Sequence, residues 1–187
     1  LTFLGLRKQA TQEEMSAIYP EYFKSYIAKG IELQRLNPAL AEFDLDKLGQ
    51  AFVANRDMQF TYLSLQTLYD RYFIHHDNLR YELPQAFYMR VAMGLALKEK
   101  NREERAIEFY HLLSSFDYMS STPTLFNAGT RHPQLSSCFL TTIPDDLSQI
   151  FGSIRDNSLL SKFAGGIGND WTPVRAMGAR IEGTNGQ

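Results

Sequence analysis

Apolar residues return at close to a 3.6-residue interval from Glu13 to Leu36. Met15, Ile18, Tyr19, Tyr22, Phe23, Tyr26, Ile27 and Ile31 fall on one face, which predicts a helix. Pro20 marks a break or a first-turn start within it. Asn37-Pro38 ends the run, because a residue before proline is pushed out of the α region. Asp44 suits the cap of a second helix with Leu45, Leu48 and Phe52 inward. Thr61 to Ile74 is dense in Leu and Tyr and reads as a mostly buried segment. Glu82-Leu-Pro-Gln85 opens a further helix through Lys98, with Pro84 in its first turn. Asn101 with Glu104 three residues later predicts a capped helix from Arg102 to Ser115.

The pattern changes near Tyr118. Ser120 to Gly129 is turn-rich and carries small hydroxyl residues. Leu135 to Thr142 reads as a short strand with Cys138 at its centre. Pro144-Asp-Asp146 starts another helix, with Leu147, Ile150, Phe151 and Ile154 on one face. That helix runs to about Lys162 and is stopped by Gly165-Gly166. No internal repeat is present. The expected organisation is a helical domain over 1–118 and a second region over 119–187, giving a mixed α and β, predominantly helical fold.

Composition narrows the classes. The 187 residues suffice for one or two domains with a buried core. Hydrophobic residues at 44% and charged residues at 21% exclude a disordered tail, a collagen-like repeat and a low-complexity linker. A formal charge of −2 gives no global case for binding nucleic acid or an anionic membrane. The longest apolar run, Val91 to Leu97, falls far short of the ~20 residues of a membrane span. One cysteine cannot form an internal disulfide, and a structural zinc site needs more ligands than it offers. A reducing, cytoplasmic setting is the expectation. The chain opens on Leu and closes in a loop-like stretch, Gly183 to Gln187, so a piece of a longer chain is expected.

Residue by residue, the chemistry is ambiguous. Cys138 is either a nucleophilic or reducing thiol or a small buried hydrophobe. Thr122, Ser136 and Ser137 could donate to an oxygen-rich ligand or serve turns and strand ends. Gly165-Gly-Ile-Gly168 resembles a phosphate loop but follows a helix rather than preceding one, which suits a helix stop. Lys162 and Arg175 could meet phosphates, although Lys162 also complements a helix dipole. The four histidines show no metal-ligand spacing.

The order of the segments is more specific. Ser121-Thr-Pro-Thr-Leu-Phe-Asn-Ala-Gly-Thr130 comes first, followed by Pro133-Gln-Leu-Ser-Ser-Cys138. Ser161-Lys-Phe-Ala-Gly-Gly-Ile-Gly168, Arg175-Ala and Ile181-Glu-Gly-Thr-Asn-Gly186 come after them. Together they resemble the large catalytic subunit of class I ribonucleotide reductase. Pro84-Gln85 with Arg90-Val-Ala92 is similar to that family's helical N-terminal region. The resemblance implies a helical domain leading into the first part of a ten-stranded α/β barrel. It also implies reduction of ribonucleoside diphosphates to deoxyribonucleotides: a thiyl radical removes the 3′-hydrogen and a cysteine pair supplies two electrons. Cys138 matches the first cysteine of the pair. Thr122 and Ser137, with the main chain around Ser121 and Ser136, match substrate contacts. Asp146, Lys162, Arg175, Ile181 and Thr184 match positions that bind the specificity effector, a deoxynucleoside triphosphate or ATP with Mg2+. Many members carry a serine after that Asp, where this chain has Leu147.

The implied partners are the remainder of the large subunit, a second copy of it, a radical-generating small (beta) subunit, and thioredoxin or glutaredoxin as reductant. Neither nucleic acid nor membrane is implied, and no cofactor is held directly in this segment. Asp146 and Lys162 are sixteen residues apart, about 24 Å along a continuous helix, which is more than one nucleotide comfortably spans. If both touch one effector, two copies of the helix must pack antiparallel across a two-fold axis. The other active-site cysteines and a glutamate are absent, so the chain alone is expected to be inactive. Its partial barrel leaves strand edges that favour association. A non-catalytic nucleotide-binding or dimerisation module derived from that subunit is the alternative. Retention of Cys138 in its Thr122/Ser137 setting weighs against it.

Overall fold

The computed structural model describes residues 12–162, 165–181 and 183. Two compact units divide the chain, one through Leu135 and one from Ser136. The sequence texture instead changes near residue 118. The difference is the turn-rich stretch after it, which folds into a short helix bonded into the first unit.

That unit is helical. Helix α1 (Gln12–Glu32) runs through Pro20 without stopping. It ends short of Leu36 because Gln34 turns left-handed at φ 56°, and the amides of Arg35 and Leu36 both donate to Gly30 O at 2.9 and 3.0 Å. Helix α2 (Leu45–Gln50) is capped by Asp44, whose carboxylate accepts from Lys47 N at 3.0 Å. Helix α3 (Tyr62–Thr67) continues into a π-turn at Leu68–Tyr72. The expected burial of this stretch fails: Tyr62 and Leu63 are 83% and 73% exposed, and Leu65 and Tyr69 are also exposed. A two-residue antiparallel hairpin follows, β1 (His75–His76) and β2 (Leu79–Arg80). Its turn residues, Asp77 and Asn78, both have positive φ, as a type I′ turn requires.

Helix α4 (Pro84–Ala96) is the centre of the unit and is buried on every side from Pro84 to Met93. The aromatic face of α1 packs in the same core, with Tyr19, Phe23, Tyr26 and Ile27 almost wholly enclosed. Helix α5 (Arg102–Ser114) lies against α4. Asn101 occupies the capping position but makes no side-chain cap bond.

Burying α4 all round also buries two polar residues, and both are satisfied. Gln85 donates to Asp57 Oδ1 at 2.7 Å and accepts from Tyr110 Oη at 2.7 Å. Asp57 also accepts from Tyr19 Oη at 2.5 Å. Burial, only partly offset by those two bonds, raises the Asp57 carboxyl above its ordinary value. Arg90 is engaged at every guanidinium nitrogen, as described below.

The second unit is a single β–α–β element. Strand β3 (Cys138–Thr142) pairs in parallel with β4 (Gly166–Asp170), and helix α7 (Leu147–Lys162) makes the crossover. The register runs from Cys138↔Gly166 to Thr142↔Asp170. The glycine-rich stretch read as a helix stop therefore contributes a strand. Ile143, directly after β3, is fully buried and donates its N–H to Asp170 O at 2.8 Å.

Candidate functional site

Cys138 is the first residue of β3, not its centre, and it is an exposed free thiol. The buried-hydrophobe reading is thereby excluded. Along β3 the exposed Cys138, Leu140 and Thr142 alternate with the half-buried Phe139 and Thr141. Asn169, the register partner of Thr141, accepts from Asn157 of α7 at 3.0 Å. Helix α7 therefore covers the Phe139/Thr141 face, and Cys138 stands on the opposite one. Beside it, Gly166 donates its N–H to Ser137 O at 2.9 Å. A Cβ at Gly166 would sit 3.9 Å from the Cys138 sulfur. Glycine at that register keeps the flank of the thiol clear of side chains. Ser136 and Ser137 precede the strand and are exposed.

Ser121 and Thr122 belong to the first unit. Thr122 opens helix α6 (Thr122–Asn127), Ser121 lies just before it, and both are exposed. The Thr122 hydroxyl is 3.3 Å from Tyr72 Oη, and the Ser121 hydroxyl is 3.3 Å from Thr124 Oγ1.

The position of α6 is set from below by a buried ion pair that sequence reading left out of the site. Arg90 Nε donates to Glu82 Oε1 at 2.7 Å, and both side chains are wholly enclosed. Tyr26 Oη donates to the same carboxylate oxygen at 2.5 Å, and Ile74 N donates to Oε2 at 2.9 Å. The rest of the guanidinium meets the C-terminal end of α6: Nη1 donates to Ala128 O at 2.6 Å and Nη2 to Leu125 O at 3.1 Å. Arg90 thus takes up carbonyls that a six-residue helix cannot satisfy itself. Burial opposes its charge, but Glu82 and Tyr26 more than compensate and raise its pKa. The backbones also meet here. Gly129 is left-handed at φ 76°, and a Cβ on Gly94 of α4 would lie 2.1 Å from Gly129 N.

The effector candidates that can be located lie in the second unit. Asp146 caps α7 by accepting from Gln149 N at 2.9 Å, and Lys162 is the last residue of the same uninterrupted helix. The two therefore sit at opposite ends of one rod. Arg175 is held by Asp145, the neighbour of Asp146: Nε donates to Asp145 Oδ2 at 2.7 Å, and Nη1 donates to Arg180 O at 2.9 Å. Ile181 follows that carbonyl and is exposed. Thr184 lies outside the described residues. Sequence reading used Asp145 only as a helix-start residue; a second acid beside the capping Asp was the available signal.

Comparison with known proteins decides the family. Residues 58–133 match the model of the ribonucleotide reductase all-alpha domain, and residues 136–187 match that of the ribonucleotide reductase barrel domain. The chain belongs to the ribonucleotide reductase large-subunit family. The junction of the two matches coincides with the division between the compact units.

Ribonucleoside-diphosphate reductase subunit alpha of Chlamydia muridarum is 56% identical over 184 residues, covering 98% of this chain and 18% of that protein. The Helicobacter pylori subunit alpha is 44% identical over 164 residues, covering 87% of this chain and 20% of that protein. The large chain of Schizosaccharomyces pombe is 42% identical over 142 residues, covering 75% of this chain and 17% of that protein. The chain thus spans about a fifth of the length of these curated relatives. Among the described residues, no cluster of three His, Cys, Asp or Glu could hold a metal ion, and no helix is long and apolar enough to cross a membrane.

Proposed function

We propose that this chain acts as the part of a ribonucleoside-diphosphate reductase large subunit that carries one reducing thiol and the effector-binding helix. The observation that carries the reading is the exposed Cys138 thiol at the head of β3, beside a glycine and directly after two serines. A strand end is a stiff mount, and a reducing thiol must reach one ribose oxygen to act. Cys138 and a second cysteine outside this chain would each give up a proton and an electron. They would close a disulfide as the 2′-hydroxyl leaves as water. Thioredoxin or glutaredoxin would reopen it. Thr122 and Ser137, with Ser121 and Ser136, would hold the substrate's diphosphate and ribose oxygens. The thiyl radical that removes the 3′-hydrogen would form elsewhere in the subunit, driven by the radical-generating small subunit.

The second role is allosteric. Arg175 and Lys162 would meet effector phosphates, and Asp146, Ile181 and Thr184 would meet the nucleoside. Mg2+ would arrive with the triphosphate. Because Asp146 and Lys162 occupy opposite ends of α7, one effector touching both requires a second copy, and the exposed Leu147, Phe151 and Ile154 of α7 supply an apolar face for it. Effector binding would then be coupled reciprocally to dimerisation and to the substrate site.

The test combines this chain with the remainder of a large subunit, a radical-generating small subunit and a dithiol, and follows deoxyribonucleotide formation. Turnover should require the remainder and should disappear in Cys138→Ser, with the variant's melting temperature unchanged because the thiol is exposed. A folded assembly that binds effector but does not turn over would instead favour the non-catalytic module.

A further inference from the structure

Thr122 presents an exposed hydroxyl at the start of α6, and a hydroxyl rotor turns to suit whatever neighbour it has. Arg90 secures the other end of that helix through the carbonyls of Leu125 and Ala128. At the first turn the neighbour is Tyr72, whose Oη lies 3.3 Å from Thr122 Oγ1. The Tyr72 ring stacks on Phe126, with centroids 4.8 Å and planes 11° apart, and stands edge-to-face with the buried Phe87 of α4 at 6.3 Å. Phe126 follows Thr122 by four residues, so the two share one face of α6 and a single tyrosine spans them. Tyr72 reaches that face from the π-turn. The bond from Phe73 N to Leu68 O, 2.9 Å, takes in one residue more than an α-helical bond. One extra residue is about 100° of rotation on a helix, and Leu68 and Phe73 are both buried at the ends of the turn. The π-turn therefore aims Tyr72 between two anchored neighbours. Arg80 of the hairpin holds its carbonyls, with Nε donating to Tyr69 O at 2.9 Å and Nη2 to Asp70 O at 3.3 Å.

We propose that Tyr72 is a positioning residue for the substrate: its phenol donates to Thr122 Oγ1 and so leaves the Thr122 hydrogen to be donated to a phosphate oxygen of the ribonucleoside diphosphate. This rests on the reading of Thr122 as a substrate contact. A phenol is more acidic than an aliphatic alcohol, which makes Tyr72 the donor of the pair. Phosphate oxygens only accept, so a Thr122 hydrogen spent on Tyr72 would be lost to the substrate. The Tyr72 proton sets the opposite polarity. The stacked ring keeps the phenol in place, so the Thr122 hydroxyl is oriented before substrate arrives.

The experiment uses the assembled large subunit with the small subunit and a dithiol. It reads CDP reduction and melting temperature for the wild type, Tyr72→Phe, Tyr72→Leu, Thr122→Val and the Tyr72→Phe/Thr122→Val pair. Tyr72→Phe keeps the stacked ring and loses only the hydroxyl. It should raise KM for CDP about three- to ten-fold, the worth of one hydrogen bond, with the loss in KM rather than kcat and the melting temperature held. Tyr72→Leu, which loses the stack as well, should lower the melting temperature. Thr122→Val should raise KM, and Tyr72→Phe should add little in that background. If Thr122→Val raises KM while Tyr72→Phe leaves it at the wild-type value, the positioning role falls and the substrate reading stands. If Tyr72→Phe raises KM as much in the Thr122→Val background as alone, its hydroxyl does not act through Thr122 and the inference falls. It falls too if Tyr72→Phe lowers kcat and melting temperature together, because the hydroxyl is then structural. If Thr122→Val leaves KM unchanged, the substrate reading of Thr122 falls and the inference goes with it.

Discussion

Glu82 and Arg90 show at the residue scale how a polar pair is tolerated in a core. Both are fully enclosed, and every oxygen and nitrogen between them has a partner. Such pairs stabilise little over an apolar replacement, but they are costly to break on one side. Arg90→Met should therefore destabilise the protein by about 3–5 kcal/mol, because it strands the Glu82 carboxylate. Glu82→Leu combined with Arg90→Met should recover a substantial part of that loss in denaturant unfolding. The recovered protein should nonetheless hold α6 less firmly, since the carbonyls of Leu125 and Ala128 lose their donor. Faster amide exchange across 122–130 would report it. Full stability in Arg90→Met alone would show that the pair does not organise this region.

At the scale of elements, the contact between α4 and the exit of α6 is made by backbone rather than side chains. The Cβ that Gly94→Ala would add has no room, lying 2.1 Å from Gly129 N and 2.5 Å from Ala128 C. Neither atom can swing aside as a side chain could. The substitution should cost about 3 kcal/mol, the upper end for overpacking, and should displace Thr122 with its helix. A thermal melt compared with that of Gly152→Ala checks it. Gly152 lies on α7 with open space around it, and alanine there should be neutral or slightly stabilising.

Over the whole molecule, exposed apolar surface points to association. Leu147, Phe151 and Ile154 are 71%, 62% and 45% exposed on one helix whose polar positions would otherwise suit solvent. If that face is the seam between two copies, Phe151→Glu should shift the assembled subunit toward monomer in sedimentation at concentrations where the wild type is dimeric. It should also weaken dTTP binding, because Asp146 and Lys162 would no longer meet across the seam. Loss of dimer with dTTP affinity intact would break the proposed link between effector and interface.

Much of this could be read from the chain alone, where local rules decide. The caps and starts at Asp44 and Pro84, and the extent of α7 from Leu147 to Lys162, follow from side-chain chemistry within one turn. The order of short segments from Ser121 to Gly186 placed the chain in its family. What the sequence hid was non-local. The aromatic-rich stretch after Thr61 is exposed although its composition suits a core. Strand β4 exists only because Gly166 to Asp170 finds β3 in parallel register across a sixteen-residue helix. Periodicity cannot reveal a partner so distant. The exposure of Cys138, the Arg90 tie to α6 and the Asp145 hold on Arg175 are likewise decided by tertiary structure. Burial and ion pairing join residues 30 or more positions apart in the chain, and the residue types alone do not specify which will meet.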